Sequence, residues 1–275
     1  MNNQFFLKDT RVMKKLIIFA QIAAFLLFFA PKTTNIFAFA EDSSSAKPML
    51  AIVIDDFGED RSGVAQMLSI KAPLTCAVMP NLTYSVEDAE EAHKNGHEVI
   101  LHMPLESKGG LPQSWYGPKL IHNSDSEESA QKTFEECLKS VPHAVGSNYH
   151  IGTGVSENKR LMTALLKTAK DNNVYFLDSK TTQHSAAPEA AKSAGAKYIS
   201  RDLFLENGHA SYGYSKKILN EAVDLAKSQG YAVVIGHVGP MGREQTGKAI
   251  IDSLKHITEE GIEIVPLSRI VEKYC

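Results

Sequence analysis

The sequence predicts an α/β protein in which seven to eight parallel strands form a deformed β/α barrel, as a single domain over residues 49–275. Three observations support this fold class. Short apolar runs alternate with amphipathic segments of helical length, which is the order of parallel strands joined by helical crossovers. The alternation continues without an obvious linker, and polar residues follow nearly every apolar run. An open doubly wound sheet is the alternative architecture.

The predicted strands are short apolar runs rich in β-branched residues. The first, 49–54, has the continuous apolar pattern that is typical of a strand buried on both faces. The run 231–235 has the same pattern. The other strands are predicted at 73–79, 99–101, 144–147, 174–177, 197–200 and 262–265.

Helices are predicted between the strands from apolar periodicity and from terminal residues. Gly96 and Gly230 each follow a periodic segment, as expected of helix C-termini, and Ser156 is the predicted N-cap of the clearest helix. The Gly- and Pro-containing stretch 103–124 is a predicted long loop. The helices are predicted at 60–70, 86–95, 126–140, 156–172, 187–194, 215–229, 245–260 and 267–273.

The amino-terminal segment has the three parts of a secretory signal. Lys14 and Lys15 precede the apolar stretch 16–30, and Ala38-Phe39-Ala40 supplies small residues for cleavage. The apolar stretch is too short for a typical transmembrane helix, so we expect no stable membrane span after cleavage. The sequence therefore predicts a signal peptide over 1–40, a linker over 41–48, and export to the periplasm, the cell wall or the extracellular space.

The charge distribution argues against nucleic acid as a partner. Residues 1–40 carry a net charge of +4 and the rest of the chain carries −7. Neutralising phosphates requires clustered Lys and Arg, and the acidic body shows no such stripe.

Ionisable side chains are predicted to meet at one rim of the barrel, because the carboxyl ends of its strands converge there. Asp55 and Asp56 follow the first strand. Two adjacent carboxylates need a cation or a shared proton to relieve their repulsion, so one Asp is a predicted metal ligand and the other a base. The alternative is that one of them caps the predicted helix 60–70.

Two histidines at neighbouring strand ends complete the predicted metal site. His102 and His150 join Asp56 in a three-ligand arrangement that leaves an open position for water. Imidazole and carboxylate ligands indicate Zn²⁺ or a similar divalent ion. Glu106 is a possible further ligand or an outer partner of the site, and His237, after another strand, is the predicted acid/base group.

Five motifs resemble those of the divergent polysaccharide deacetylase family. They occur in order between about residues 50 and 268, almost the whole chain after the predicted signal, and their combination is fairly specific although each alone is weak. The motifs are Ile54-Asp55-Asp56-Phe57-Gly58, Gly96-His97-Glu98-x-x-x-His102-Met103-Pro104-Leu105-Glu106, Gly146-Ser147-Asn148-Tyr149-His150, Phe176-Leu177-Asp178-Ser179-Lys180-Thr181 and Ile235-Gly236-His237.

The resemblance implies a deformed barrel related to the NodB-type carbohydrate deacetylases. It also implies that Asp55 is the base, that Asp56 and His102 are metal ligands, and that His237 is the general acid. The relatives place a second histidine ligand four residues after the first, whereas this chain has Glu106 there. Their Arg-x-Pro-Tyr motif has no counterpart here.

The predicted function is therefore that of a metal-dependent hydrolase, with Zn²⁺ as the expected cofactor, that removes N- or O-acetyl groups from a cell-envelope polysaccharide. Asn148, Asp178, Lys180 and Arg201 are the predicted substrate-binding residues. Lys180 or Arg201 would orient a polar substrate or stabilise a tetrahedral oxyanion.

Two alternative functions are compatible with the sequence. One is a catalytically inactive glycan-binding or envelope-assembly protein that kept the barrel. The other is a metal-free glycoside hydrolase that uses two carboxylates, such as Asp56 with Asp178 or Glu106, at a separation set by its stereochemistry.

Overall fold

The structure is a computed structural model that describes residues 47–275. The predicted signal peptide and residues 41–46 of the predicted linker lie outside the described residues, so both stay predictions. In the described part of the chain, no helix combines the length and the apolar character needed to cross a membrane.

One parallel sheet of nine strands forms the centre of the domain. The strands are β1 (Met49–Phe57), β2 (Thr75–Val78), β3 (Glu98–Leu105), β4 (Ala144–Ile151), β5 (Tyr175–Asp178), β6 (Tyr198–Ser200), β7 (Leu203–Phe204), β8 (Tyr231–His237) and β9 (Glu263–Ile264). Their order in the sheet is β6-β5-β4-β3-β2-β1-β8-β7, and β9 pairs with β1.

A single short segment joins the two edges of this sheet. β6 pairs with β5 and β7 pairs with β8, yet only Arg201 and Asp202 separate β6 from β7 along the chain. Because a link of two residues spans at most roughly 10 Å between the end of β6 and the start of β7, the two edges of the sheet must lie close together. The sheet therefore curls into a deformed barrel, which confirms the predicted fold class in preference to the open doubly wound sheet.

Helices cover the outside of the barrel. Three predicted helix starts differ from the structure. The predicted helix 60–70 is one short turn after Gly63, and the helix predicted at 156–172 begins after Asn158, whose side chain accepts a hydrogen bond from Leu161 N. The helix predicted at 245–260 already begins at Gly239 and is broken at Arg243. The helices are α1 (Val64–Leu68), α2 (Ser85–Lys94), α3 (Glu127–Ser140), α4 (Lys159–Asp171), α5 (Ala187–Ala194), α6 (Tyr212–Gln229), α7 (Gly239–Glu259) and α8 (Leu267–Tyr274).

Strands β3 and β4 extend further than the sequence predicts. The ladder between them continues from His102 paired with Asn148 to Leu105 paired with Ile151. His102, Asn148 and His150 therefore lie within strands and not after them. Polar side chains can occupy these positions because they face the open end of the barrel, where they contact one another.

The two faces of β1 pack against different parts of the core, as the period of two in a strand requires. Leu50, Ile52 and Ile54 belong to the outer cluster beneath the helices. Ala51 and Val53 belong to the inner cluster of the barrel. The next inner position after Val53 is Asp55, so the inner row of β1 changes from apolar to charged at the carboxyl end.

The amino end of the barrel is closed by a hydrogen-bond network around Glu98. Its Oε1 accepts hydrogen bonds from Thr75 Oγ1 at 3.1 Å and from Tyr175 OH at 2.6 Å. The backbone N–H of Ser268 in α8 donates to the same carboxylate at 3.2 Å. The helix α8 thus covers this end, and the ionisable groups of the opposite end remain accessible.

Close packing inside the barrel makes Gly146 a sensitive position. A Cβ at Gly146 would lie 2.4 Å from Cζ of the buried Tyr175 ring. We expect Gly146→Ala to lower the free energy of unfolding by about 1–3 kcal/mol, the usual cost of overpacking. Urea denaturation measures this loss.

The matched control is Gly213→Ala in α6, where nothing lies within 4 Å of the added Cβ. Because alanine favours helices, this variant should be unchanged or more stable by up to about 1 kcal/mol. Equal stability of the two variants would contradict the packing described here.

Candidate active site

The carboxyl end of the barrel opens into a cleft of about 570 Å³. Its acidic and histidine lining residues are Asp55, Asp56, His102, His150 and His237. These are the five residues predicted to be catalytic or metal-binding, and the structure brings all of them together. Perturbed ionisable groups in a concave site are typical of a functional centre.

Strand register places these side chains at one level. Asp55 of β1 is the register partner of His237 in β8, and His102 of β3 is the partner of Asn148 in β4. His150 lies two residues beyond Asn148 and hence on the same face of β4. Pairing of parallel strands therefore brings together residues that are far apart in the sequence.

An irregularity in β1 brings two neighbouring carboxylates into the cleft. Adjacent residues of a strand normally point to opposite faces. The pairing of β1 with β2 shifts between Ile54 and Phe57, and Asp56 has a φ of 72°. This left-handed conformation is strained for aspartate and costs on the order of 1–3 kcal/mol, a cost often found at functional sites. The alternative helix-capping role is wrong, because the N-cap of α1 is Gly63, with no side-chain cap.

Three ligand atoms converge in the cleft. Asp56 Oδ1 lies 3.2 Å from His102 Nε2 and 2.9 Å from His150 Nδ1. Among the described residues, this is the group of three acidic, histidine or cysteine side chains whose ligand atoms all lie within 4.8 Å of one another. Asp56 Oδ1 is buried and accepts no hydrogen bond. A cation would satisfy this oxygen, so the residues present fit a divalent metal ion.

Partners behind the two imidazoles determine which nitrogen faces the site. His102 Nδ1 lies 2.7 Å from Asn148 Oδ1, and Asn148 Nδ2 donates to Asp55 Oδ1 at 2.8 Å. Because an amide oxygen only accepts, Nδ1 carries a proton, and in the neutral ring Nε2 then presents its lone pair to Asp56. Asn148 thus lies behind His102 and Asp55, outside the residues that line the cleft.

A backbone carbonyl orients His150 in the same way. His150 Nε2 donates to the carbonyl oxygen of Trp115 at 3.0 Å. The lone pair of Nδ1 therefore points toward Asp56. Histidines that bind metals in proteins usually donate their second N–H to a carbonyl or carboxylate in this manner.

The two adjacent aspartates have different proton affinities. Burial raises the pKa of Asp55, and the neighbouring His102 and His237 offset this only in part. Burial also raises the pKa of Asp56, but in the metal-free cleft its contacts with His102 and His150 in their protonated forms outweigh the burial and bring the pKa well below its usual range. Asp56 is thus ionised as a ligand must be, whereas Asp55 is suited to accept a proton.

His237 is paired with a carboxylate that sequence reasoning missed. Its Nδ1 donates to Oε2 of Glu206 at 3.0 Å, and its backbone N–H donates to Oε1 at 3.1 Å. Burial lowers the pKa of His237, but the hydrogen bond to Glu206 and the charges of Asp56 and Asp55 raise it to about 9. The second nitrogen, Nε2, therefore carries a proton at neutral pH.

Three of the other predicted residues are linked by hydrogen bonds outside the lining of the cleft. Asp178 is fully buried and accepts hydrogen bonds from Tyr149 OH at 2.6 Å and Tyr198 OH at 3.1 Å. The backbone N–H of Lys180 donates to the same carboxylate, and the Arg201 guanidinium donates to the backbone oxygen of Lys180. None of the three lines the cleft.

Glu106 is the remaining candidate ligand, and the structure does not bring it into the ligand group. Its Oε2 accepts a hydrogen bond from Asn123 N at 2.7 Å, and its Oε1 lies 3.5 Å from His122 Nδ1. The carboxylates that line the cleft are Asp55 and Asp56, so the pairs of Asp56 with Asp178 or Glu106 do not flank it.

Comparison with known proteins agrees with this geometry. Residues 52–271 match the model of a family described as divergent polysaccharide deacetylase, and the chain belongs to this family.

Two curated relatives are similar to this chain in sequence. The chain is 33% identical over 216 residues to the uncharacterised protein YibQ of Escherichia coli, covering 76% of this chain and 66% of that protein. It is 27% identical over 197 residues to an uncharacterised protein of Haemophilus influenzae, covering 72% and 69%. A crystal structure of an uncharacterised protein from Agrobacterium tumefaciens has the same fold, with a TM-score of 0.75, 19% identity, and coverage of 82% of this chain and 89% of that one.

The ligand group predicts which substitutions weaken metal binding. We expect His150→Ala to lower the affinity for Zn²⁺ by more than the roughly 10–100-fold that loss of an outer partner costs. Glu106→Gln should leave the affinity unchanged, because Glu106 lies outside the group. Isothermal titration calorimetry with a competing chelator measures both affinities. A large loss in Glu106→Gln with none in His150→Ala would overturn the assignment.

The pair of His237 and Glu206 predicts a shifted titration. In metal-free protein, Glu206→Gln should lower the pKa of His237 from about 9 toward the ordinary histidine value, because the negative charge and one of the two acceptor oxygens are lost. Thr246→Val is the control, since it removes only a donor to Glu206 and keeps the carboxylate charge. NMR titration of the His237 ring follows both variants, and an unchanged pKa in Glu206→Gln would refute the pairing.

Proposed function

We propose that the protein is an exported, metal-dependent carbohydrate deacetylase that removes N- or O-acetyl groups from a polysaccharide of the cell envelope. The observation that carries the proposal is the convergence of Asp56, His102 and His150 beside Asp55 and His237 in one cleft. Membership of the divergent polysaccharide deacetylase family supports the reaction class, and the predicted signal peptide supports export.

The donor set favours Zn²⁺ as the cofactor. Asp56 Oδ1, His102 Nε2 and His150 Nδ1 would hold the ion, and two imidazoles with one carboxylate are a common ligand set of catalytic zinc. When bound, the ion polarises an acetyl carbonyl and lowers the pKa of a water molecule. His102 must be neutral to bind it, and the hydrogen bond to Asn148 Oδ1 keeps the proton of this neutral ring on Nδ1.

Asp55 is the general base of the proposed reaction. Its Oδ1 accepts a hydrogen bond from Asn148, and its Oδ2 lies 3.8 Å from His102 Nε2, next to the ligand group. Burial raises the pKa of Asp55, which makes this carboxylate a better proton acceptor than an exposed aspartate. It takes the proton of the attacking water.

His237 is the general acid. Glu206 holds its Nδ1, so Nε2 is the nitrogen that can deliver a proton to the departing amine or alcohol. Its pKa of about 9 keeps this proton in place at neutral pH. Glu206 is a positioning residue, because it acts on the substrate only through the orientation and charge of His237.

Loss of the base provides the test of this function. We expect Asp55→Asn to lower the rate of acetate release from an acetylated glycan by about 10²–10⁴-fold, the usual contribution of one acid–base group. Zinc affinity should persist, because Asp55 is outside the ligand group and asparagine can still accept from Asn148. Enzymatic measurement of acetate from zinc-loaded protein gives the rate.

The control is Asp60→Asn, an exposed aspartate after β1, which should keep the full rate. Full activity of Asp55→Asn would remove Asp55 from the mechanism. If zinc-loaded protein without substitutions released no acetate from N- or O-acetylated glycans, the proposed activity itself would be wrong.

A further inference from the structure

A buried carboxylate outside the cleft is bonded to the segment that follows Asp56. Asp88 belongs to α2, and its side chain is fully buried. Its Oδ2 accepts the backbone N–H of Gly58 at 2.9 Å, and its Oδ1 forms an ion pair with Arg61. Because Gly58 lies two residues after Asp56, this carboxylate connects α2 with the end of β1.

The position of Asp88 is costly, and its contacts compensate the cost only in part. Burial raises the pKa of Asp88 to about 6, although Arg61 and the hydrogen bond from Gly58 oppose this rise. The other buried side chains of α2 are the small, uncharged Ser85, Ala89 and Ala92. A charged group on such a helix face is not explained by core packing, so its two contacts indicate what it does.

Gly58 brings its N–H within reach of Asp88 because the chain passes α2 closely. Its φ is 123°, a conformation that favours glycine, and an added Cβ would lie 3.1 Å from Ser85 Oγ. The backbone N–H of Tyr84, the N-cap residue of α2, donates to Gly58 O at 2.7 Å. Both backbone polar groups of Gly58 are therefore bonded at the amino end of α2, and Asp88 holds the N–H.

The left-handed Asp56 needs anchors on both sides. A strained conformation persists only where the surrounding structure determines it from several directions. The backbone N–H of Val238 donates to the carbonyl oxygen of Asp55 at 3.1 Å, and that of Met79 donates to the carbonyl oxygen of Phe57 at 2.9 Å. These bonds use backbone groups alone, so they do not depend on which side chains the segment carries.

Asp88 supplies an anchor that depends on a side chain. Without it, the buried N–H of Gly58 would be unpaired, and the cost of this is comparable with the strain at Asp56. The segment after β1 would then lower its free energy by turning this N–H toward water, and that movement would release the strain. The bond to Asp88 therefore favours the left-handed conformation of Asp56.

We propose that Asp88 is a positioning residue of the metal site: its carboxylate holds the N–H of Gly58 and thereby keeps Asp56 in the conformation that directs Oδ1 toward the two imidazoles. The inference deepens the proposed function and rests on its metal site. Asp88 does not line the cleft, so it acts on a bound cation only through the backbone that carries Asp56.

Two variants that share the branched shape of aspartate separate the hydrogen bond from the charge. Asp88→Leu has no acceptor, whereas Asp88→Asn removes the charge and keeps an oxygen that can accept the Gly58 N–H. We expect the zinc affinity to fall by at least about 10-fold in Asp88→Leu, the lower end of the cost of losing an outer partner, and to be retained in Asp88→Asn. Calorimetry with a competing chelator measures both affinities.

Two controls exclude other causes of a loss. Tyr175→Phe removes one buried hydrogen bond, to Glu98, at the opposite end of the barrel, so it should lower stability and keep the zinc affinity. Arg61→Met removes the ion pair and should also keep the affinity, because the carboxyl group of Asp88 can accept the Gly58 N–H in either protonation state. All affinities are measured at a temperature at which circular dichroism shows every variant folded.

Crystal structures of the metal-free variants give a readout without the cation. In Asp88→Leu, residue 56 should leave the left-handed region, and its Oδ1 should move away from His150 Nδ1. In Asp88→Asn, the 2.9 Å separation of these two atoms should remain. If Asp88→Leu does not fold, Asp88→Ala replaces it in both experiments, since its smaller side chain also lacks an acceptor.

Each other outcome counts against the inference. A left-handed Asp56 and an unchanged zinc affinity in Asp88→Leu would refute the positioning role. Equal losses in Asp88→Leu and Asp88→Asn would assign the effect to the charge, and an equal loss in Tyr175→Phe would assign it to general stability. If the unmodified protein bound no zinc, the proposed function would be wrong, while the metal-free crystal structures would still decide the role of Asp88.

Discussion

The buried Oδ1 of Asp56 is the constraint on which the rest of the site depends. Its Oδ1 accepts no hydrogen bond and lies between two imidazole nitrogens, and its backbone is in the left-handed region. An ionised carboxylate removed from water is costly unless an opposite charge compensates it. Three features direct ligand atoms to this point. The bulge in β1 turns Asp56 into the cleft. The amide of Asn148 orients the ring of His102, and the carbonyl of Trp115 orients the ring of His150.

The barrel makes this arrangement rigid. The register of the strands fixes the height of Asp55, His102 and His150. The shift in β1 places Asp56 beside them, and the carbonyl of Trp115 orients the ring of His150. The same packing shifts the pKa values of Asp55 and Asp56 in opposite directions. Asp56 contacts both imidazoles and stays ionised, whereas burial dominates at Asp55 and raises its pKa. Two identical side chains, adjacent in sequence, are thereby suited to different tasks.

The sequence was sufficient to predict the fold class and the five residues that meet in the cleft, because apolar alternation and strand-end motifs are local signals. It could not predict the shift in β1, which depends on pairing with β2. The sequence placed Asp178 among the substrate-binding residues because it follows a predicted strand. In the structure Leu177 faces the inside of the barrel, so the next residue, Asp178, faces outward and contacts Tyr149 and Tyr198. Glu206 was missed because β7 is only two residues long and is separated from β6 by Arg201 and Asp202. The carboxylate that follows Leu203-Phe204-Leu205 was the available signal.

The central claim is that the mouth of the barrel holds one divalent cation between strands β1, β3 and β4. Anomalous diffraction at the zinc edge, from crystals of the zinc-loaded protein, tests it most directly. The account predicts a single strong peak bonded to Asp56, to Nε2 of His102 and to Nδ1 of His150. A peak on Glu106 and His122, or zinc held by exposed side chains with none in the cleft, would contradict it.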